Sequence, residues 1–345
     1  MTGPTLLAPA GGLDMARAAV DAGADTLYVG PLGWSRRPSE SEMSDADIRR
    51  AIDYAGAQGV DVRVVLNTFP SPFEYEAWLE HATRFFAWGV SGFIVTDPGA
   101  IPRLRALLPT AVLHVSVGSG ITNAADAAFY RDLGADLIVV PYRWDETEIR
   151  RVRAASDIGI ETFLFETVQT GKICPGKCIM SSYLKFRDWT AAESDHGFFG
   201  SANRGAKECY RVCQTRWAFG SVIPTGTPES SPVMATAPEP FKLRRDACLM
   251  LTQIPGMIAA GVSCFKLSGR ERPTPIIRDL VTFYRRVIDG VLDGTSPDMT
   301  LYQDEMQVLE ARWVSEKRKR VDTLIERAGH YGAGAPTPEA AGLGA

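Results

Sequence analysis

The architecture follows from one unit of sequence: Gly92-Phe-Ile-Val-Thr-Asp97, a helical pattern from Pro98 to Leu108, and Ala111-Val-Leu-His-Val-Ser-Val117. The two outer segments are apolar and rich in β-branched residues, which is typical of strands buried on both faces. The middle segment has the length of a helix. The unit therefore predicts two parallel strands joined by a crossover helix.

The same unit recurs along most of the chain. Strands are predicted at Thr5–Pro9, Thr26–Gly30, Asp61–Asn67, Gly92–Asp97, Ala111–Val117, Asp136–Pro141, Ile160–Phe165 and Val262–Leu267. Helices are predicted at Leu13–Ala24, Ser44–Gly59, Pro72–Gly89, Pro98–Leu108, Asn123–Gly134, Asp145–Ala155, Asp246–Ala260 and Pro275–Leu292. Eight such units predict an α/β protein with a closed (β/α)8 TIM-like barrel. A doubly wound open sheet is the alternative, but no strand is followed by Gly-x-Gly-x-x-Gly or a Walker loop.

The chain is expected to form one barrel with two additions. Residues 1–295 make the barrel, and they include a cysteine-bearing insertion, residues 166–245, after the seventh strand. Residues 296–328 are expected to form a C-terminal helical extension, and the Gly-, Ala- and Pro-rich residues 329–345 a disordered tail. The insertion would lie at the carboxyl mouth of the barrel, where such enzymes keep their active sites.

Composition limits the classes of function. The 345 residues are 45% hydrophobic and carry a net charge of -4, which does not favour autonomous binding to long nucleic acid but leaves a local basic patch open. No apolar stretch approaches the roughly 20 residues of a membrane span, and the N-terminus lacks the pattern of a signal peptide. We therefore expect a cytoplasmic protein. In a reducing compartment, paired cysteines indicate a metal or redox site more often than a disulfide.

Four of the six cysteines form two matched pairs in the insertion, Cys174-Pro-Gly-Lys-Cys178 and Cys209-Tyr-Arg-Val-Cys213. Four thiolates fit either a tetrahedral zinc ion or a cubane iron–sulfur cluster. The spacing leaves both open, with a disulfide pair less favoured. The other two cysteines, Cys248 and Cys264, lie in apolar segments and are predicted to be core residues.

Polar residues at the predicted strand ends are candidates for catalysis or substrate binding. They are Asn67, Asp97, Ser116, Arg143 and Lys266. Arg143, together with Lys266 or Arg270, could hold a dicarboxylate, because guanidinium pairs with carboxylate through two hydrogen bonds. For Asn67 and Asp97, capping of the following helices is an equally good interpretation.

Further candidates carry alternative interpretations. His114 is expected on the same side of its strand as Ser116, as an acid or base or as a hydrogen-bonded core residue. Glu161 is interpreted as structural. Asn203 and Arg204 are expected to position the second cysteine pair and so to contribute to cofactor binding, with a substrate role second.

Several motifs, in this order, resemble peptidase family U32, a collagenase-like family. They include Leu7-Ala-Pro-Ala-Gly11, Gly176-Lys-Cys178-Ile-Met-Ser-Ser-Tyr-Leu184, Asn203-Arg-Gly-Ala206 and Ala260-Gly-Val-x-x-Phe-Lys-Leu-x-Gly-Arg270. The family includes ubiquinone-hydroxylation accessory proteins and the tRNA and ribosomal-RNA hydroxylation proteins. The resemblance covers residues 5 to 292 and no single motif carries it.

The resemblance implies an oxygen-independent hydroxylase in which Cys174, Cys178, Cys209 and Cys213 hold a 4Fe-4S cluster, with Arg270 as a further cofactor-site residue. It also implies prephenate as a hydroxyl donor and, for short members, a paralogous partner subunit. We expect hydroxylation of a small aromatic or ring substrate. The alternatives are base hydroxylation in RNA and a non-catalytic iron–sulfur subunit, with a peptidase less favoured.

Three positions depart from the family pattern. Gly171 stands where the first cysteine is usual, so the assignment of Cys174 comes from spacing. Gly118 stands where relatives commonly have Gln, and Ser268 where they commonly have Glu. Because Gly118 and Ser268 lie at predicted strand ends, we expect a substrate that differs from those of the named relatives.

Overall fold

A computed structural model describes residues 3–37, 39–166, 216–217, 241–242, 248–295 and 298–316. Eight parallel strands close into a barrel, which confirms the predicted fold class. The strands are β1 Thr5–Ala10, β2 Thr26–Val29, β3 Asp61–Leu66, β4 Gly92–Val95, β5 Val112–Val115, β6 Leu137–Val139, β7 Gly159–Phe163 and β8 Cys264–Lys266. The barrel closes at β1, where Leu7 is in register with Thr26 of β2 on one side and Lys266 of β8 on the other.

Helices follow the strands around the outside of the barrel. They are α1 Leu13–Asp21, α2 Asp45–Gly56, α3 Tyr75–Ala87, α4 Ala100–Leu107, α5 Ala124–Asp132, α6 Glu146–Ala155, α7 Ile254–Ala259, α8 Thr274–Leu292 and α9 303–316. Arg216–Trp217 and Phe241–Lys242 pair as a two-stranded antiparallel ribbon. Among the helices of the described ranges, none has the length and apolar character needed to cross a bilayer.

Side-chain caps fix where several helices begin. Ser44 accepts a hydrogen bond from the backbone N–H of Asp47, as predicted for the start of α2. Asn123 caps α5 in the same way. At α6 the side chain of Asp145 accepts from the backbone of Glu148, and the side chain of Glu148 accepts from the backbone of Asp145. Each cap satisfies backbone N–H groups that the first helical turn leaves open.

Two layers of apolar side chains build the core. Outward-facing strand residues such as Leu6, Leu27 and Phe93 pack against the helices in one large cluster. Alternate residues of the strands face the barrel interior, where Leu7, Tyr28, Val65, Ile94 and Cys264 form a smaller cluster. Cys264 is 2% exposed, which confirms its predicted place in the core.

The structure corrects the segment before α7. A helix was expected from Asp246, but α7 begins at Ile254, and Leu249 forms an antiparallel bridge with Phe165 instead. Pro255 stands in the first turn, where its missing N–H is tolerated, whereas a helix from Asp246 would place it in the interior, where proline removes a hydrogen bond. The prediction that Cys248 is a core residue is wrong: it is exposed.

The insertion leaves and rejoins the barrel at the same place. The backbone N–H of Glu166 donates to the carbonyl of Cys248 at 3.0 Å, and that of Met250 to the carbonyl of Leu164 at 3.1 Å. Both strands of this junction follow β7, so the insertion departs from the carboxyl mouth. The predicted tail and most of residues 167–247 lie outside the described residues.

Helix α9, part of the predicted C-terminal extension, packs beside this junction. The guanidinium carbon of Arg272 lies 4.0 Å from the ring centroid of Trp313, and Arg272 Nη1 donates to the Trp313 carbonyl at 2.8 Å. Glu310 Oε1 accepts from the backbone N–H of Leu249 at 3.1 Å. The helix thereby contacts both the returning segment and the loop after β8.

Candidate functional site

A chain of charged and titratable side chains crosses the barrel interior. Arg63 of β3, His114 of β5, Glu161 of β7 and Lys266 of β8 are each less than a tenth exposed. The interiors of such barrels are usually filled by branched apolar side chains. A buried charge is costly unless it is paired and hydrogen-bonded, so the contacts of these four residues decide what they can do.

Glu161 is the centre of the chain. Its Oε1 accepts from Lys266 Nζ at 2.7 Å, and its Oε2 accepts from His114 Nδ1 at 2.5 Å. The other ring nitrogen of His114, Nε2, accepts from Arg63 Nε at 3.3 Å. Arg63 is also paired with Asp61, the first residue of β3, at 3.2 Å. The contacts therefore run continuously from the amino end of β3 to the carboxyl end of β8.

These partners fix the protonation states. A guanidinium can only donate, so Nε2 of His114 is an acceptor and Nδ1 carries the proton. Burial lowers the pKa of His114 and so favours the neutral ring. The neighbouring Glu161 opposes this effect and would by itself raise the pKa. Burial by itself would raise the pKa of Glu161, but Lys266 and His114 lower it to about 2. Glu161 is therefore a carboxylate at neutral pH.

Aromatic rings surround the ammonium group of Lys266. Nζ lies 4.6 Å from the ring centroid of Tyr28 and 5.8 Å from that of Phe163, both within the range of a cation–π interaction. The hydroxyl of Tyr28 donates to the carbonyl of Leu267 at 2.9 Å. Burial raises the pKa of Tyr28, so its phenol stays neutral.

Arg270 forms a second buried contact at the carboxyl ends of β2 and β8. Its Nη2 donates to Ser35 Oγ at 2.9 Å, and Ser35 Oγ donates to Glu42 Oε1 at 2.7 Å. Burial lowers the pKa of Arg270. Its guanidinium lies against Gly30, where an added Cβ would be 1.5 Å from Nη1. Only glycine fits at that position without displacing Arg270.

The loop between β2 and α2 also reaches across the mouth. The backbone N–H of Arg36 donates to Asn67 Oδ1 at 3.0 Å, beyond the end of β3. Its side chain extends to the end of β5, where a Cβ on Gly118 would lie 2.7 Å from Arg36 Nη1. Arg36 therefore occupies the space that a side chain at position 118 would need, and this is the position where relatives commonly have Gln.

The remaining strand-end candidates make local contacts. Asp97 Oδ1 accepts from the backbone N–H of Gly99 at 2.8 Å, just before α4. Ser116 Oγ accepts from the N–H of Gly118 at 3.3 Å. Arg143 Nη2 donates to the Thr122 carbonyl at 3.1 Å, and no described contact joins it to Lys266 or Arg270.

The cysteine site falls outside the part of the chain that can be described. Cys174, Cys178, Cys209, Cys213, Asn203 and Arg204 all lie outside the described residues. Within the described ranges, no three His, Cys, Asp or Glu side chains are grouped as metal ligands. The cysteine pairs therefore stay a prediction.

The structure joins His114 and Lys266 through Glu161, which the sequence indicated only as structural. It also places Arg63, which the sequence did not single out, against the other ring nitrogen of His114. A signal was present: Glu161 and Arg63 are charged residues inside otherwise apolar strands. Because side chains alternate between the two faces of a strand, such a residue faces either the outside or the interior of the barrel. A charged side chain in the interior needs an oppositely charged or hydrogen-bonding partner.

Comparison with known proteins shows similarity to RNA-modifying proteins. Over 290 residues the chain is 26% identical to the tRNA hydroxylation protein P1 of Bacillus subtilis, covering 83% of this chain and 63% of that protein. Over 291 residues it is 27% identical to the 23S rRNA 5-hydroxycytidine C2501 synthase of Escherichia coli, covering 84% of this chain and 40% of that protein. The chain thus spans less than two thirds of either relative.

The same comparison includes proteins with other names. A collagenase of Porphyromonas gingivalis is 22% identical over 305 residues, covering 84% of this chain and 66% of that protein. A solved U32 peptidase superposes with a TM-score of 0.46 at 17% identity, covering 79% of this chain and 95% of that one. The sequence model described as Peptidase family U32 matches residues 11–320, from the first loop after β1 through α9. Because that match spans nearly the whole barrel and the helix packed on it, the resemblance expected from the motifs is confirmed, and the chain belongs to peptidase family U32.

Proposed function

We propose that this protein hydroxylates a base in RNA. The observation that carries the proposal is the similarity, over more than four fifths of the chain, to a tRNA hydroxylation protein and to a 23S rRNA hydroxycytidine synthase. These names favour the RNA alternative over the small aromatic substrate that we expected from the short chain. They give no support to a partner subunit.

The four cysteines of the insertion are the proposed ligands of a 4Fe-4S cluster. Cys174, Cys178, Cys209 and Cys213 supply four thiolates, the usual donor set for such a cluster, and zinc is the competing occupant. The junction at Glu166 and Cys248 supports a place for the insertion at the barrel mouth. When bound, the cluster would supply an electron-transfer or Lewis-acid centre.

Other residues of the chain would handle the substrates. Lys266, held by Glu161, and Arg270, held by Ser35, bring two cations to the carboxyl ends of β2, β7 and β8. A guanidinium at the mouth suits a carboxylate, so Arg270 is the residue that we expect to bind an acidic hydroxyl donor. Prephenate as that donor stays a prediction from the family resemblance.

The function is tested by comparing RNA from cells with and without the gene. Total tRNA and ribosomal RNA are digested to nucleosides and analysed by mass spectrometry. We expect one nucleoside to gain a single oxygen atom only when the gene is present, and growth in isotope-labelled dioxygen to leave that atom unlabelled. Identical nucleoside profiles in the two strains would contradict the proposal.

The cofactor is tested separately by metal and sulfide analysis of protein purified without air. We expect iron and acid-labile sulfide in the wild type and their loss in Cys209→Ala. Cys248→Ala is the matched control: Cys248 is exposed and lies outside the four-cysteine set, so this variant should keep its iron. Stoichiometric zinc without iron would show that the cluster assignment is wrong.

A further inference from the structure

The ion pair between Glu161 and Lys266 is not required to fill the barrel. Glu161 is fully buried and Lys266 is 6% exposed. Apolar side chains of similar volume usually stabilise a protein interior at least as well as a buried ion pair does, because both charges must leave water. Stability alone therefore does not account for this pair, and its position suggests a role in the site.

The ammonium group of Lys266 can donate more hydrogen bonds than the described residues accept from it. It carries three N–H groups, and within the described part of the chain it donates one hydrogen bond, to Glu161. Its other neighbours are the rings of Tyr28 and Phe163, which attract the positive charge through their faces. Among the described residues, therefore, nothing accepts from the other two N–H groups, which are the donors that we assign to a ligand.

The location of Lys266 matches that of a catalytic group. Lys266 and Phe163 are the last residues of β8 and β7. They lie at the carboxyl ends of the strands, where (β/α)8 enzymes bind substrates. The flexible stem of a lysine does not by itself fix the position of Nζ. The contact with Glu161 supplies that restraint.

We propose that Glu161 is a positioning residue, which holds the Lys266 ammonium at the floor of the mouth as a hydrogen-bond donor to an oxygen atom of the substrate. The inference rests on the proposed function and narrows its substrate to a base that carries a carbonyl oxygen, as cytosine, the base modified by one relative, does. A fixed donor of this kind stabilises negative charge that develops on oxygen during a reaction.

His114 and Arg63 complete the restraint on Glu161. His114 donates from Nδ1 to Glu161 and accepts at Nε2 from Arg63, so both ring nitrogens are engaged. On this proposal His114 orients the carboxylate and exchanges no proton with the substrate. In this proposal, none of Arg63, His114, Glu161 and Lys266 takes the acid or base role that the sequence suggested for His114.

A double-mutant cycle tests the inference. The full-length protein is compared with Glu161→Gln, Lys266→Met and the double variant, by thermal unfolding and by RNA hydroxylation. Each single variant leaves a buried partner uncompensated and should lower the melting temperature by several degrees, whereas the double variant should recover most of that loss. Activity should behave differently: both Lys266→Met and the double variant should lose about 100-fold or more in kcat.

The outcomes separate this inference from the proposed function. A double variant that regains both stability and activity would show that the pair is structural and overturn the inference alone. A stable wild-type protein that hydroxylates no RNA would overturn both. The control is the exposed pair of Arg84 and Asp45, 2.7 Å apart, whose replacement by Arg84→Met and Asp45→Asn should leave activity unchanged.

Discussion

Glu161 connects the chemistry of a single carboxyl group to the stability of the whole barrel. Its pKa is lowered from 4.5 to about 2, so the folded protein favours the ionised form more than the unfolded chain does. The stabilisation is present above the unfolded pKa and is lost as the pH falls through the folded one. We expect the difference in unfolding free energy between wild type and Glu161→Gln to shrink steadily below pH 4.5.

Urea denaturation from pH 7 down to the acid range, followed by circular dichroism, measures this difference. His114 does not disturb the comparison near neutrality, because its lowered pKa keeps the ring uncharged there. A constant difference across the acid range would mean that the charge of Glu161 contributes nothing to stability.

Arg270 can occupy its observed position only because residue 30 is a glycine. In Gly30→Ala the new Cβ would lie 1.5 Å from Arg270 Nη1, so the guanidinium must move and its contact with Ser35 is lost. We expect a loss of about 1–3 kcal/mol in unfolding free energy, as is usual for overpacking. Gly56→Ala is the control: nothing lies within 4 Å of its added Cβ in α2, and it should be neutral or slightly stabilising. Equal stability of the two variants would contradict the close approach.

From the sequence, Lys266 and Arg270 were candidates for this site, whereas Glu161, which holds Lys266, was interpreted as structural. Lys266 was a candidate because it interrupts an apolar strand, and Arg270 because its guanidinium could bind a carboxylate; both are local features. The partners of Glu161 lie 47 and 105 residues away along the chain, and only closure of the barrel brings them together. Apolar periodicity predicts which face a residue occupies, but it carries no information about which charges meet inside.

Helix α6 shows how far local signals reach at the level of an element. Asp145 and Glu148 form a complete capping box, and α6 begins next to the predicted start. We expect Asp145→Ala to lower the unfolding free energy by about 1 kcal/mol, since two backbone N–H groups of the first turn lose their acceptor. Thr147→Ala, at an exposed position in the same turn, should change it by less than about 0.5 kcal/mol. Equal effects in chemical denaturation would argue against the cap.

Element boundaries were predicted less well where tertiary contacts compete with local preference. The strands that end at Leu66 and Val95 stop short of their predicted ends. Beyond the second of them, the Asp97 carboxylate accepts a hydrogen bond from the backbone N–H of Gly99. Where the predicted α7 helix would have continued toward the N-terminus, Leu249 instead forms an antiparallel bridge with Phe165. A short apolar run such as residues 248–251 fits either a strand or a helix, and here the partner strand decides.

At the scale of the whole molecule, the charge balance constrains how RNA could be bound. The chain carries a net charge of -4, so we expect the proposed complex to make few phosphate contacts. We expect the logarithm of the binding constant for a tRNA transcript to fall with the logarithm of salt concentration with a slope shallower than about -2, which corresponds to about three phosphates. Fluorescence anisotropy across a salt series measures the slope. A much steeper slope would show that the RNA contacts a local basic surface despite the net charge.

The paired backbone bonds where residues 167–247 leave and rejoin the barrel have a consequence for how this protein could diversify. Glu166 and Cys248 are hydrogen-bonded neighbours, so the barrel is already closed at the point where the segment leaves and returns. A short linker between those two residues is therefore expected to leave the order and pairing of the eight strands unchanged. Replacing the segment would then remove the proposed cluster ligands and leave the order of the barrel strands unchanged.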